Sequence, residues 1–218
     1  PLLLREELAD PAWTPRPLAM SGVTDPYQPV ERRLEVTRRC LAVLAEARNP
    51  VSVITKSRLV VRDADLLSEL ASRGAARVTL SVTTLDEDLR RVLEPRAPTP
   101  ARRLDAVEKL ATAGVPVGVN VAPVIPGLTD HEVPAILEAA AAAGAGHAGY
   151  ILLRLPHGVE GMFERWLARH VPERKEKVLG RIRDTRGGEL NDPRFGSRMR
   201  GEGAFARQIS EIDRKSVV

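Results

Sequence analysis

Aromatic side chains are scarce in this chain: three Phe, two Tyr and two Trp among 218 residues. Any core must then be aliphatic, and the length suffices for one domain with a proper core, or one domain and an appendage. Cysteine is scarcer still. With Cys40 alone, a disulfide within the chain is excluded, and so is a cluster of metal-ligating cysteines. Cys40 itself reads as core, on the apolar face of its helix. His131, His147, His157 and His170 are scattered, without metal-ligand spacing. No apolar run approaches the roughly 18 residues of a membrane-spanning helix, so no membrane partner is expected. No signal peptide is visible, and a reducing cytoplasmic setting is the default expectation. Charge of one sign is also lacking: 33 Lys and Arg face 29 Asp and Glu, a formal +4. That balance does not by itself imply nucleic acid. The chain opens at Pro1, and LLLREELAD reads as the end of a helix. We therefore expect it to be the later part of a longer protein.

What is present is a regular alternation. Candidate strands cover 17–23, 51–55, 77–83, 115–125 and 148–156. Helical patterns cover 30–47, 63–73, 86–93, 100–113 and 130–143, with Asp63 and Asp130 as possible caps. Strand and helix in turn imply parallel strands joined by crossover helices. The strands are nearly continuous apolar runs, as strands covered on both faces should be. A βα barrel or part of one fits best, an open doubly wound sheet being its rival. The first visible strand is not followed by GxGxxG, which argues against dinucleotide binding. Beyond Pro156 the pattern changes to helices over 159–170 and 172–185. A Gly- and Arg-rich stretch, 186–203, is then either an extended arm or a flexible tail, and Phe195 and Met199 as apolar anchors favour a packed arm. The expected division is residues 1–156 as barrel and 157–218 as C-terminal extension.

Ligands of parallel βα folds gather at the carboxyl ends of the strands. Those ends carry Thr24, Asp25, Tyr27 and Gln28 after the first strand, and Lys56 after the second. Ser81 and Thr83 end the third, Asn120, Ala122 and Pro123 belong to the fourth, and Arg154 ends the fifth. A lysine facing a barrel mouth can grip a carboxylate or form a Schiff base. Glu94-Pro95-Arg96 reads either as a loop-steadying ion pair or as a ligand contact.

TDPYQPVE, ITKS, LSVTTLDEDLRRVLEPRAPTPARRL, VNVAPVIPGLTDHE, GYILLRLP and DPRFGSRMRGEG occur in that order across nearly the whole chain. Together they resemble the radical S-adenosylmethionine (SAM) enzymes. More narrowly, they resemble the bacterial branch related to spore photoproduct lyase, often labelled DNA repair photolyase. The resemblance implies a partial (βα)6 barrel, with the five visible strands as its second to sixth. It also implies SAM and a 4Fe–4S cluster that together yield a 5′-deoxyadenosyl radical, with a reductant such as flavodoxin or ferredoxin. The CxxxCxxC loop of the first family strand is missing, so this fragment alone is expected to be inactive. Carried over, Thr24 and Asp25 meet the methionine amino end of SAM, and Lys56 its carboxylate. Ser81 stands near the ribose, and Asn120, Ala122 and Pro123 near the adenine. Tyr27, Gln28, Arg96 and Arg154 fall to the substrate, with nucleic acid one candidate. The hydrogen-donor cysteine of spore photoproduct lyase aligns with Gly22, which puts thymine-dimer repair in doubt. Two rivals stand beside this reading: an aldolase-like lyase with Lys56 as Schiff base, and a nucleic-acid-binding module acting through Arg186, Arg194, Arg198 and Arg200.

Overall fold

The computed structural model describes residues 1–21, 23–194 and 197–216, with side chains through Glu211. The expectations for Gly22 and Phe195 lie outside the described residues.

A first helix, α1 (Leu2–Leu8), precedes β1 (Leu18–Met20). Then come α2 (Glu31–Leu34), α3 (Val36–Glu46), β2 (Val51–Thr55), α4 (Ala64–Ala71) and β3 (Ala76–Ser81). α5 (Glu87–Leu93), α6 (Pro100–Thr112), β4 (Val117–Val124), α7 (Val133–Ala142) and β5 (His147–Leu152) follow. The chain closes with α8 (Val159–His170), α9 (Lys175–Asp184) and α10 (Gly203–Ser216). The strands form one parallel sheet in the order β1-β2-β3-β4-β5, an α/β fold consistent with a partial TIM-like barrel. The register runs Leu18↔Val51 and Val51↔Ala76.

Two compact units result. The first comprises 1–81, 96–119 and 140–147, and the second 82–95, 120–139 and 148–218. In the first, Val51, Val53, Val78 and Leu80 are buried together with Leu41 and Leu44 of α3 and Leu67 and Leu70 of α4. Burial of each such side chain contributes about 1.5–3 kcal/mol. In the second, Ile125, Leu128, Leu155, Phe163, Leu167 and Ile182 share one cluster.

The continuous helix expected over 30–47 is broken. Glu35 takes a left-handed conformation (φ 49°), separating α2 from α3. The Glu31 side chain explains the break. Its Oε1 accepts the Thr37 and Arg38 backbone N–H groups (3.0 and 3.4 Å), so it caps α3 from the preceding turn. Arg62 grips the same oxygen at 2.9 Å. Nor does Asp63 cap α4. A 3-10 segment, Arg58–Asp63, intervenes, capped by the Ser57 hydroxyl oxygen, which accepts the Leu59 N–H. The arm expected over 186–203 is tied to β5, with the Leu152 N–H donating to the Met199 carbonyl at 2.9 Å. α10 has no counterpart among the sequence expectations, although Ala206 and Ile209 are buried.

His147, at the start of β5, lies near the Thr79 hydroxyl at 3.3 Å. Burial, and then the Arg77 charge, push its imidazole below the ordinary 6.5. The folded chain thus resists a proton that the unfolded chain accepts. Stability present above pH 6.5 will fall as the pH drops below that value. Urea titrations at pH 7.5 and 5.5 will show a drop for the wild type and a smaller one for His147→Gln.

Candidate functional site

The loop after β1 is tied to the end of β2. Asp25 Oδ1 accepts the Tyr27 N–H at 2.8 Å, the local bond that aspartate favours in turns. The same oxygen accepts the Thr55 hydroxyl at 2.6 Å, and Oδ2 accepts the Lys56 backbone N–H at 2.8 Å. One carboxylate therefore fixes its own loop and the backbone of Lys56. Gln28 Nε2 donates to Thr24 Oγ1 at 2.7 Å, closing the loop on its exposed side.

Tyr27 is 2% exposed, and its hydroxyl donates to Asp63 Oδ2 at 3.1 Å. Burial, then the Asp63 charge, hold the phenol well above its ordinary value of 10, so it stays neutral. Asp63 also accepts from Arg62 Nε and Nη2 (2.8 Å each) and from Arg38 Nη1 (3.0 Å). The first loop thus stands on a buried ionic base.

Between the ends of β1 and β2 and the segment before α6 lies a cavity of about 450 Å³. Asp25, Tyr27, Gln28, Arg32, Lys56 and Arg96 are among its lining residues. Five of these were singled out from sequence, and Arg32 was not. Three cations line the cavity, and its one carboxylate already holds three hydrogen bonds. That donor set suits an anionic group such as a carboxylate. The volume falls within the usual range of small-molecule sites.

Ser81 is 7% exposed, and its carbonyl accepts Arg103 Nη1 at 2.9 Å. Arg103 Nε donates to the Pro98 carbonyl at 3.0 Å, and Pro98 lines the cavity. Arg103, on α6, is 1% exposed.

The second unit carries the remaining strand-end residues. The Asn120 carbonyl accepts the Val82 N–H at 2.9 Å. The Ala122 carbonyl accepts the Thr83 hydroxyl at 2.9 Å, and the Ala122–Pro123 peptide is cis. Thr83 also donates to Glu94 Oε1 at 3.0 Å. Arg154 is half-buried at the end of β5, with Nη1 3.9 Å from Met199 Sδ. Of the arm arginines, Arg186 is buried, while Arg194 pairs with Asp192 (3.0 Å) and Glu202 (2.9 Å).

Among the described residues, no group of three or more His, Cys, Asp or Glu is placed to hold a metal ion. Among them too, no helix is long and apolar enough to cross a membrane.

The chain is 37% identical over 173 residues to the uncharacterized protein Rv2578c of Mycobacterium tuberculosis, covering 78% of this chain and 51% of that protein. It is 34% identical over 113 residues to the uncharacterized protein MJ0683 of Methanocaldococcus jannaschii, covering 52% and 42%. The chain thus spans about half the length of the curated relatives it matches, or less. Among solved structures it is similar in fold to a spore photoproduct lyase complexed with dinucleoside spore photoproduct. There the TM-score is 0.65 at 14% identity, covering 98% of this chain and 61% of that one. A spore photoproduct lyase double mutant with bound AdoMet and dinucleoside spore photoproduct gives 0.57 at 15% identity, covering 77% and 49%. The radical SAM superfamily model matches residues 7–140, a span that contains the whole lining of the cavity. By that match, the chain belongs to the radical SAM superfamily.

Proposed function

We propose that this chain forms the SAM-binding and substrate-binding part of a lyase-like radical SAM enzyme. The observation that carries the reading is the cation-lined cavity at the ends of β1 and β2, inside the superfamily match. Lys56 is assigned to the methionine carboxylate, and Asp25 holds the Lys56 backbone in place. Thr24 borders the amino end, and Ser81 the ribose. Bound SAM supplies the group from which superfamily chemistry draws its hydrogen-abstracting species. Tyr27, Gln28, Arg32 and Arg96 are assigned to the substrate side. A nucleic-acid substrate is supported by the dinucleoside spore photoproduct bound in the fold relatives. A small electron carrier such as flavodoxin or ferredoxin is the proposed reductant.

The 4Fe–4S cluster does not fit this chain. Three thiolates are needed, and the sequence holds Cys40 alone, in the middle of α3. No step through a cluster follows from these residues. We place its ligands in another part of the protein.

Anaerobic reconstitution of the whole protein with iron, sulfide, dithionite and SAM tests the reading. 5′-Deoxyadenosine will be released, and Lys56→Met will raise the KM for SAM about tenfold or more, the usual worth of a charged hydrogen bond. Absence of both 5′-deoxyadenosine and a SAM-dependent change in the EPR spectrum overturns it.

A further inference from the structure

Among the described residues, two guanidinium groups in the second unit have no carboxylate in direct contact. Arg186 is 4% exposed. Its Nη1 donates to the carbonyls of Ser197 and Arg198 (3.3 and 2.9 Å). Its Nη2 donates to those of Leu152 and Leu153 (3.4 and 2.8 Å). Its Nε is buried with no acceptor. Arg154 follows Leu153 directly, so it leaves the strand end that Arg186 holds. Among the described residues, the acceptor near Arg154 Nη1 is the weak Met199 Sδ, at 3.9 Å, and its Nε is likewise buried without an acceptor. Both groups therefore sit between the end of β5 and the turn at 197–199.

They are close enough for the Arg154 charge to disfavour protonation of Arg186, whose affinity for its proton burial already lowers. Asp192 is the carboxylate that Arg186 feels. Asp192 is already engaged: Oδ1 accepts from the Arg194 N–H and Nε, and Oδ2 from Arg194 Nη2 and the Ser197 hydroxyl. Buried cations are normally paired, and unpaired buried donors are costly. Carbonyl dipoles orient Arg186, and Asp192, held by other donors, offsets its charge only from a distance.

We infer that this place binds a small oxyanion, a carboxylate or phosphoryl group, through the guanidinium of Arg154. Arg186 is a positioning residue that holds the β5 end to the arm and adds positive field. The planar fork of arginine suits both anions. The location is the carboxyl end of a parallel strand, where ligand groups collect in such folds. The inference does not depend on SAM chemistry.

The test is a titration of the 218-residue chain followed by NMR of the arginine Nε–H resonances, at constant ionic strength set with chloride. The Arg154 signal, identified by its loss in Arg154→Lys, will shift saturably with inorganic phosphate, acetate or both. A response to phosphate alone assigns a phosphoryl ligand, and to acetate alone a carboxylate. Arg154→Gln will weaken binding about tenfold or more, followed through the Arg186 Nε–H signal, with an unchanged circular dichroism spectrum. No saturable shift with either anion, or unaltered affinity in Arg154→Gln, overturns the inference in favour of water at these donors.

Discussion

Asp63→Ala will lower the unfolding free energy by about 3–5 kcal/mol, the usual loss when one member of a buried ion pair is removed. Asp63 is fully buried and accepts four hydrogen bonds, from Tyr27, Arg38 and twice from Arg62. Arg38 has a second partner in Asp65 (2.8 and 2.7 Å), so its loss is partial. Arg62 keeps Glu31, but its remaining bonds are to the Glu31 carbonyl and carboxylate alone. Tyr27 fares worst, because its buried phenol loses the acceptor that Asp63 supplies. Asp63→Asn preserves volume and one acceptor oxygen, so its loss will be smaller. Tyr27→Phe will cost about 1 kcal/mol, the net worth of one hydrogen bond. Urea denaturation measures all three, and a loss below about 1 kcal/mol for Asp63→Ala would show that the network is not a foundation of the fold. The disturbance should also reach the cavity. Tyr27 donates to Asp25, and Asp25 holds Lys56, so amide exchange at 24–28 and 56 will quicken in Asp63→Ala more than at β3.

That network also marks the limit of what the sequence discloses. The alternation of strands and helices was legible because period and composition are local properties. β2 was bounded to the residue, α8 likewise, and β3 and β4 to within two residues. The break at Glu35 was not legible, because its cause is Glu31 folding back onto α3 while Arg62, 31 residues away, holds it there. Asp63 carried a cap signal, and the tertiary demand of Tyr27 and two arginines won over local capping. In the candidate site, strand-end position singled out Asp25, Tyr27, Gln28 and Lys56, and the Glu94-Pro95-Arg96 loop added Arg96; all five line one cavity. Position could not reveal that the Asp25 carboxylate is spent on the β2 end, or that the Tyr27 hydroxyl points at Asp63. The carbonyl partners of Arg103 and Arg186 were not legible, since they are set by the fold and leave no mark on neighbouring residues.

Gly118→Ala carries the second large expected effect, a loss of about 3 kcal/mol, the upper end for forcing an added methyl into a packed core. A Cβ at position 118 would stand 2.3 Å from the His147 carbonyl oxygen and 2.4 and 2.5 Å from its ring atoms Cδ2 and Cγ. The ring can rotate away, but the carbonyl cannot. It belongs to β5, whose approach is fixed by the Gly146 N–H donating to the Val117 carbonyl at 2.9 Å. The two obstacles separate in a double-mutant cycle. His147→Ala alone removes the ring and the acid-sensitive imidazole together, so its stability will vary less between pH 7.5 and 5.5. Gly118→Ala combined with His147→Ala will retain most of the Gly118→Ala loss, since the backbone clash persists. Full rescue in the double variant would show instead that the imidazole alone demands glycine at this position. Retention of the loss in the double variant makes backbone obstruction the reason that β4 carries a glycine between Val117 and Val119.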